Sequence, residues 1–498
     1  MSLLKKLAGQ TATYGLSSIL GRFLNFLLVP IYTRVFHAGE YGEVTQFFAY
    51  VSFLNVLFTY GMETAYFRFF QSEKGDPKVY STSMISIVIS SLILGLIIVG
   101  FSGPLSGFIT TVDNQSKNTP LYISWFAGIL AFDAISTIPF ARLRMENKAK
   151  RFAFIRLFSI LVNVGLNLFF LFWCPNAIAS GNTWLQSIYD PQFGIGYVFL
   201  SQFISSFLTL LALSPEIFGI SFAFDTKLWK QMIIYSFPLM IAGYAGMVNE
   251  TFDRILLPYL LADKSQAVTQ LGIYGACYKL SMLMTLVVQT FRYAADPFFF
   301  SQAGKEDAQR IYARVMYFFT LFCSFVFLGI LLYLDIVKHF IGDEYRSGLG
   351  IVPVLLLANL FLGVYLNLSI WYKITSKTRW GAWFSVFGAV VTLLFNFLLI
   401  PIMGFYGAAW ATFICYASMM IVSYIYGQKH YPVPYDLKSF ATSIGSAVTI
   451  YVVSLYLRGF FPENMPVILL INTLLMLSWL GLIWVFERKK IAYLRRVK

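Results

Sequence analysis

Residues 80–102 read YSTSMISIVISSLILGLIIVGFS, a run without one charged side chain. A bilayer's hydrocarbon core is about 30 Å thick, so a helix rising about 1.5 Å per residue crosses it in about 20 residues. A membrane strand would need only about ten, with polar and apolar positions alternating. This run is too long and too evenly apolar for a strand, and a helix keeps every backbone group paired inside hydrocarbon. Comparable stretches flank it near 9–36, 44–67, 120–141, 153–173, 193–213, 231–260, 269–294, 311–334, 349–371, 381–402, 404–427, 439–457 and 466–486. The expected fold is an all-α integral membrane protein with about 14 transmembrane helices. The first stretch contains Arg22 and lacks a cleavage-site pattern, so it reads as a retained span rather than a signal peptide.

Composition agrees. Of 498 residues, 58% are hydrophobic, 18% aromatic and only 12% charged, and the mean hydropathy is +0.69. A soluble domain carries about 25% charged residues. Cys174, Cys277, Cys323 and Cys415 lie far apart in apolar stretches, and His37, His339 and His430 are equally scattered, so neither a redox pair nor a metal site is expected. Gly304-Lys305 is followed by Glu306, and Gly194-Ile195-Gly196 lacks a third glycine. No nucleotide-binding loop is present, so no built-in ATPase motor is expected.

The net charge of +14 could suggest a nucleic-acid partner, but basic residues in a membrane protein are first a signal of topology. Numbering the loops alternately places 28 of the 37 Lys and Arg residues on one side, together with both termini. That side is expected to be cytoplasmic, and no nucleic acid need be invoked. The loop from Arg142 to Arg156 and the tail from Arg488 to Lys498 can be read as plain topogenic charge. In addition, they could attract anionic lipid or a pyrophosphate headgroup arriving from the cytoplasmic leaflet.

An internal repeat is visible at an offset of 229: Asn167 aligns with Asn396, and Arg144, Lys148 and Lys150 align with Lys373, Lys377 and Arg379. Farther on, Gly194 and Gly196 correspond loosely to Gly404 and Gly407, and Arg34 corresponds to Arg254. An even number of spans separates the copies, so both have the same orientation and the pseudo-axis runs along the membrane normal. The implied organisation is two six-helix lobes, 1–214 and 215–430, followed by 431–498 with two C-terminal helices and a basic tail.

The opening segment, from Leu7 through Tyr14-Gly-Leu-Ser-Ser-Ile-Leu-Gly-Arg22 and Pro30-Ile-Tyr-Thr-Arg34, resembles the first helix of bacterial polysaccharide flippases. Glu40-Tyr-Gly-Glu-Val and Tyr60-Gly-Met-Glu-Thr-Ala-Tyr-Phe-Arg68 are similar to the pattern of O-antigen and capsule repeat-unit translocases. These belong to the multidrug, oligosaccharidyl-lipid and polysaccharide exporter superfamily. The resemblance implies two lobes around a central cavity that opens alternately to either side. Its implied substrate is an undecaprenyl-pyrophosphate-linked oligosaccharide, moved from the inner to the outer leaflet of the bacterial cytoplasmic (inner) membrane. Membrane lipids, a polysaccharide polymerase and glycosyltransferases are the implied partners.

The residues supply their own candidates. An ionisable group at membrane depth costs about 2.5–3.5 kcal/mol unless it is paired or faces water. Flanking charges put Arg22 near the middle of the first span and Lys279 near the middle of the eighth, where a cation suits a pyrophosphate or a structural pairing. Arg34, Arg68, Arg254 and Arg292, at or near span ends, extend the basic route. Asp133 and Glu63 are candidate counter-ions and proton carriers. Glu250, Asp253 and Arg254 share one helical face, where a Glu250–Arg254 salt bridge would ease insertion. No cofactor is expected, and the drive would come from a proton or sodium gradient, the membrane potential or removal of product.

A lipid-linked oligosaccharide flippase is the leading reading. An ion-coupled drug exporter of the same superfamily would need an anionic lumen, and a sugar-processing membrane enzyme would show a larger extramembrane loop or a carboxylate-rich motif. The topology has a direct test: reporter fusions at Lys498 and near Asn182 should report opposite sides. Equal cytoplasmic signals from both would overturn it.

Overall fold

The computed structural model describes residues 20–21, 23–73, 75–109, 118–187, 189–218, 223–461 and 464–496, with only the backbone for Thr183 and residues 487–496. Arg22 lies outside the described residues, as do Lys5, Lys6, Lys74 and Lys117. The described part is helical and built of long apolar rods.

Helix α1 is Phe23–Val35. After it come α2 (Ala38–Thr59), α3 (Met62–Ser72), α4 (Pro77–Gly100) and α5 (Thr119–Met145). Next are α6 (Ala149–Ala179) and α7 (Gly196–Ala212). The chain continues through α8 (Thr226–Leu260), α9 (Ala267–Gln302), α10 (Ala308–Leu332), α11 (Asp343–Ile374), α12 (Arg379–Met403), α13 (Phe405–His430), α14 (Leu437–Arg458) and α15 (Met465–Arg496). Eleven of these are long and apolar enough to cross a membrane, and α1 and α7 are shorter apolar helices. The remaining expected span is α2 followed by α3, broken where Tyr60 and Gly61 both adopt left-handed backbone, with φ of 33° and 72°. Among the described residues the helix count is thus roughly consistent with the expected fourteen, and the protein is a multi-pass membrane protein.

Several helix starts are held by polar side chains. Glu40 reaches back to the His37 backbone N–H at 3.0 Å to open α2, and Asp76 accepts from the Lys78 N–H at 2.8 Å to open α4. Asp225 accepts from the N–H groups of Lys227 and Leu228 at the start of α8. The Leu228 bond, the larger of the two effects, holds its carboxyl below the usual carboxylate range.

The chain divides into two compact units, residues 1–279 with 385–415, and residues 280–384 with 416–498. In the first unit α4 packs along α5, α7 lies against α5 and α6, and α8 lies against α2 and α3. Its core joins Phe58, Met62, Tyr66, Tyr80, Ile87 and Met232, each at most 3% exposed. In the second unit α10 packs on α14 and α11. Arg458 of α14 donates to the Leu332 carbonyl at 2.7 Å and pairs with Asp335 at 3.0 Å. Asn472 of α15 caps the same carbonyl at 2.6 Å. The four cysteines are buried with free thiols.

The internal repeat is reproduced in backbone detail. Asn147 and Ser376, 229 positions apart, both sit in left-handed backbone, with φ of 57° and 56°. Asn167 donates to the carbonyl four residues back, that of Asn163, at 2.8 Å, and Asn396 does the same to Thr392 at 2.7 Å.

The tightest helix approach in the first unit is between α2 and α9. A Cβ on Gly272 would lie 1.8 Å from the Ala38 carbonyl oxygen, and one on Gly42 would lie 2.0 Å from that of Val268. The obstructing atoms are backbone, so the helices themselves must part to admit a methyl group. Gly272→Ala should therefore lower stability in detergent by about 1–3 kcal/mol. Gly246→Ala, where nothing lies within 4 Å, should leave the unfolding midpoint unchanged or raised.

Candidate functional site

Between the helices of the first unit lies a cavity of about 260 Å³, lined by Tyr32 of α1, Tyr41, Thr45 and Ser52 of α2, Asn163 of α6, Gln202 of α7, Arg254 of α8 and Tyr278 and Lys279 of α9. Asn25 also reaches it. Its described lining contains two cations and no carboxylate. The sequence reading had named both cations, and the fold brings them together.

Arg254 is held from several sides. One guanidinium nitrogen donates to the Glu250 carbonyl at 2.9 Å, and the ring of Tyr278 lies 4.0 Å beneath the guanidinium carbon. Its acidic neighbour is Asp253, 3.8 Å from Nε, rather than Glu250, whose side chain is exposed. The anticipated Glu250–Arg254 ion pair is replaced because the adjacent Asp253 is turned inward and buried, with 3% exposure. The Asp253 carboxylate also accepts from the Tyr274 hydroxyl at 2.5 Å. The charge of Arg254 is thus compensated within the protein by Asp253.

Lys279 is not. Half-buried in the cavity wall, it makes no hydrogen bond or ion pair with any described residue. A single compact ammonium with three donors, set in a polar cavity, is chemically able to receive an anion.

The remaining candidates lie elsewhere. Arg34 is exposed and folds back onto the Pro30 carbonyl at 2.8 Å. Arg68 covers the ring of Tyr235 at 4.2 Å. Arg292 pairs with Asp296 at 3.5 Å, and Lys373 reaches the same carboxylate at 3.2 Å. Glu63 is ion-paired with Arg144, which accounts for its presence without any role for Lys279. Asp133 lies beside Ser206 and in the field of Arg156, outside the cavity lining. The basic loop is partly consumed by structure: Arg142 pairs with Glu146 at 2.6 Å and Arg151 with the buried Glu216 at 2.7 Å.

Sequence reasoning missed the neutral half of the cavity. Tyr32 donates to Asn167 Oδ1 at 2.9 Å, Asn167 donates to Asn163 Oδ1 at 3.0 Å, and Asn163 donates to Gln202 Oε1 at 3.0 Å. Gln202 continues to Ser206 at 3.4 Å. The available signal was the i, i+4 pair Asn163 and Asn167 inside an otherwise apolar span, which puts two amides on one helical face. A π-helical turn, Phe169–Trp173, follows directly, a local widening often found beside functional sites.

Residues 7–303 match the family described as polysaccharide biosynthesis protein. The chain belongs to that family. No curated protein sequence matches it. Among solved structures, the lipid II flippase MurJ in an inward closed conformation superposes with a TM-score of 0.69 at 14% identity, over 96% of this chain and 99% of that one. An inward-facing multidrug resistance MATE family transporter of the MOP superfamily gives 0.64 at 13% identity, over 82% and 93%. A MOP superfamily transporter from Pyrococcus furiosus, described as having a binding pocket of reversed polarity, gives 0.56 at 13% identity, over 85% and 95%. The fold is that of the MOP superfamily transporters, as the opening motifs had implied.

The hydroxyl of Tyr274 has one role within that fold, to satisfy a buried carboxylate. Tyr274→Phe should cost about 1–2 kcal/mol in unfolding free energy, the range for a charge-assisted bond in a membrane interior. An unchanged midpoint would show that Asp253 finds a replacement donor.

Proposed function

We propose that this protein is a flippase that carries a lipid-linked oligosaccharide, joined to undecaprenyl through pyrophosphate, from the inner to the outer leaflet of the bacterial cytoplasmic membrane. The observation that carries this reading is the sign of the cavity. Lys279 is uncompensated among the described residues, Arg254 is paired with Asp253 behind the wall, and no described carboxylate lines the space. A cationic drug would meet repulsion there, whereas a pyrophosphate would meet charge-assisted donors. Family membership supports a polysaccharide pathway, and the MurJ likeness supports a fold able to move a lipid-linked cargo.

Arg22 remains part of this proposal through its position in the sequence. Glycosyltransferases would supply the substrate and a polymerase would consume it. Both termini would face the cytoplasm. Ion coupling belongs to the same proposal: Glu63 is tied to Arg144, which leaves Asp133 as the better-placed proton carrier.

The measurement is flipping of a lipid-linked oligosaccharide in proteoliposomes, with and without an imposed pH step. Lys279→Ala and Arg22→Ala should each reduce the rate at least about tenfold at equal protein level, and Arg22→Lys should retain part of it. Asp133→Asn should remove any response to the pH step. Normal rates in both alanine variants would refute the cationic route.

A further inference from the structure

The cavity's neutral wall, formed by Asn163, Gln202 and Tyr32, is chemically unlike its cationic wall. Lys279 and Arg254 offer donors only. The amide wall offers both donors and acceptors: Asn163 and Gln202 each use their oxygen and their nitrogen once on a neighbour, and each keeps a second N–H and a second lone pair. Asn167, fully buried, is the pivot: it accepts from Tyr32 and donates to Asn163, fixing the orientation of both. Asn163, Gln202 and Tyr32 remain half-exposed toward the cavity.

Helix bracing alone does not require this arrangement, as the second copy of the repeat shows. There, Asn396 makes the same bond to the carbonyl four residues back. The position matching Asn163 at the offset of 229 is Thr392, 2% exposed. The two glycine pairs give offsets of 210 and 211, which match Gln202 to Thr412, 4% exposed and bonded to its own helix at 3.1 Å, or to Phe413; neither is an amide. The helices pack with small buried hydroxyls in one copy and present amides to a cavity in the other.

We propose that Asn163, Gln202 and Tyr32 form a subsite for the neutral, hydroxylated ring attached directly to the phosphate that Lys279 and Arg254 receive. Hydroxyl groups both donate and accept, and amides answer both demands. The cavity, about 260 Å³, falls below the 300–1,000 Å³ usual for a site enclosing a drug-sized ligand. It therefore fits the junction of phosphate and first sugar rather than a whole repeat unit. This inference rests on the proposed function.

The test is binding to the purified full-length protein of two kinds of probe: undecaprenyl diphosphate without sugar, and the same lipid bearing one hexose, one N-acetylhexosamine or one 6-deoxyhexose. The native protein should bind at least one sugar-bearing probe about tenfold more tightly than the bare diphosphate, the worth of one or two hydrogen bonds. Gln202→Met and Asn163→Ala should each erase most of that increment while holding the bare lipid within about twofold. Lys279→Ala should weaken both kinds alike. The inference is overturned if no sugar adds affinity, if the increment survives both amide variants, or if those variants weaken bare and sugar-bearing probes equally. A bare-diphosphate affinity indifferent to Lys279→Ala instead defeats the cationic reading beneath it.

Discussion

Hydrocarbon offers no hydrogen-bond partner, and the placement of many polar groups among the described residues answers to that constraint. Buried amides and hydroxyls turn to carbonyls or to one another: Asn167 to Asn163, Asn396 to Thr392, Asn472 to Leu332. Charges toward the basic loops are matched, as Glu216 with Arg151 and Glu63 with Arg144. Against this background, an unmatched lysine is conspicuous. Lys279 can persist at depth because it faces a polar cavity, so the cost of placing it there is offset by whatever fills that space.

The cavity and the closest helix crossing belong to the same pair of helices. On α2, Gly42 is followed one turn later by Thr45 and then by Ser52, while on α9 Gly272 is followed by Gly275, Tyr278 and Lys279. Gly275 itself lines the cavity, and a Cβ there would meet Thr45 Oγ1 at 2.7 Å. The glycines bring the two backbones together, and the cavity opens where larger side chains resume. The position of Lys279 is thus set by residues that carry no functional group.

Fold class was legible because hydrophobic length is a coarse signal that survives ignorance of packing. Residues 80–102 announce α4 without reference to any neighbour. The broken span α2–α3 was less so: Tyr60 and Gly61 turn left-handed where a Cβ on Gly61 would lie 3.1 Å from the Ser236 carbonyl and 3.3 Å from Leu239, residues far away in sequence. Lys279 and Arg254 could be named because charge at depth is rare. The Glu250–Arg254 pairing went astray because i, i+4 spacing says which residues share a face, not which of two acids turns inward. Asn163 and Gln202 were invisible as a pair, being 39 positions apart on different helices. Neutral amides carry no conspicuous cost that would single them out.

The repeat adds a final step. Duplicated backbone features, such as the left-handed turns at Asn147 and Ser376, persist because each is needed to reverse the chain between spans. The side chains beyond them are free to diverge, and they have. At matched depth one copy carries Asn163 and Gln202 facing a cavity, and the other carries Thr392 and Thr412 packed away, with Thr392 donating to Asn249 at 3.3 Å. Backbone symmetry therefore coexists with chemical asymmetry. The same division lets one fold be shared at 13–14% identity with a lipid II flippase and a multidrug resistance transporter: backbone geometry fixes the fold, while the side chains at matched positions differ.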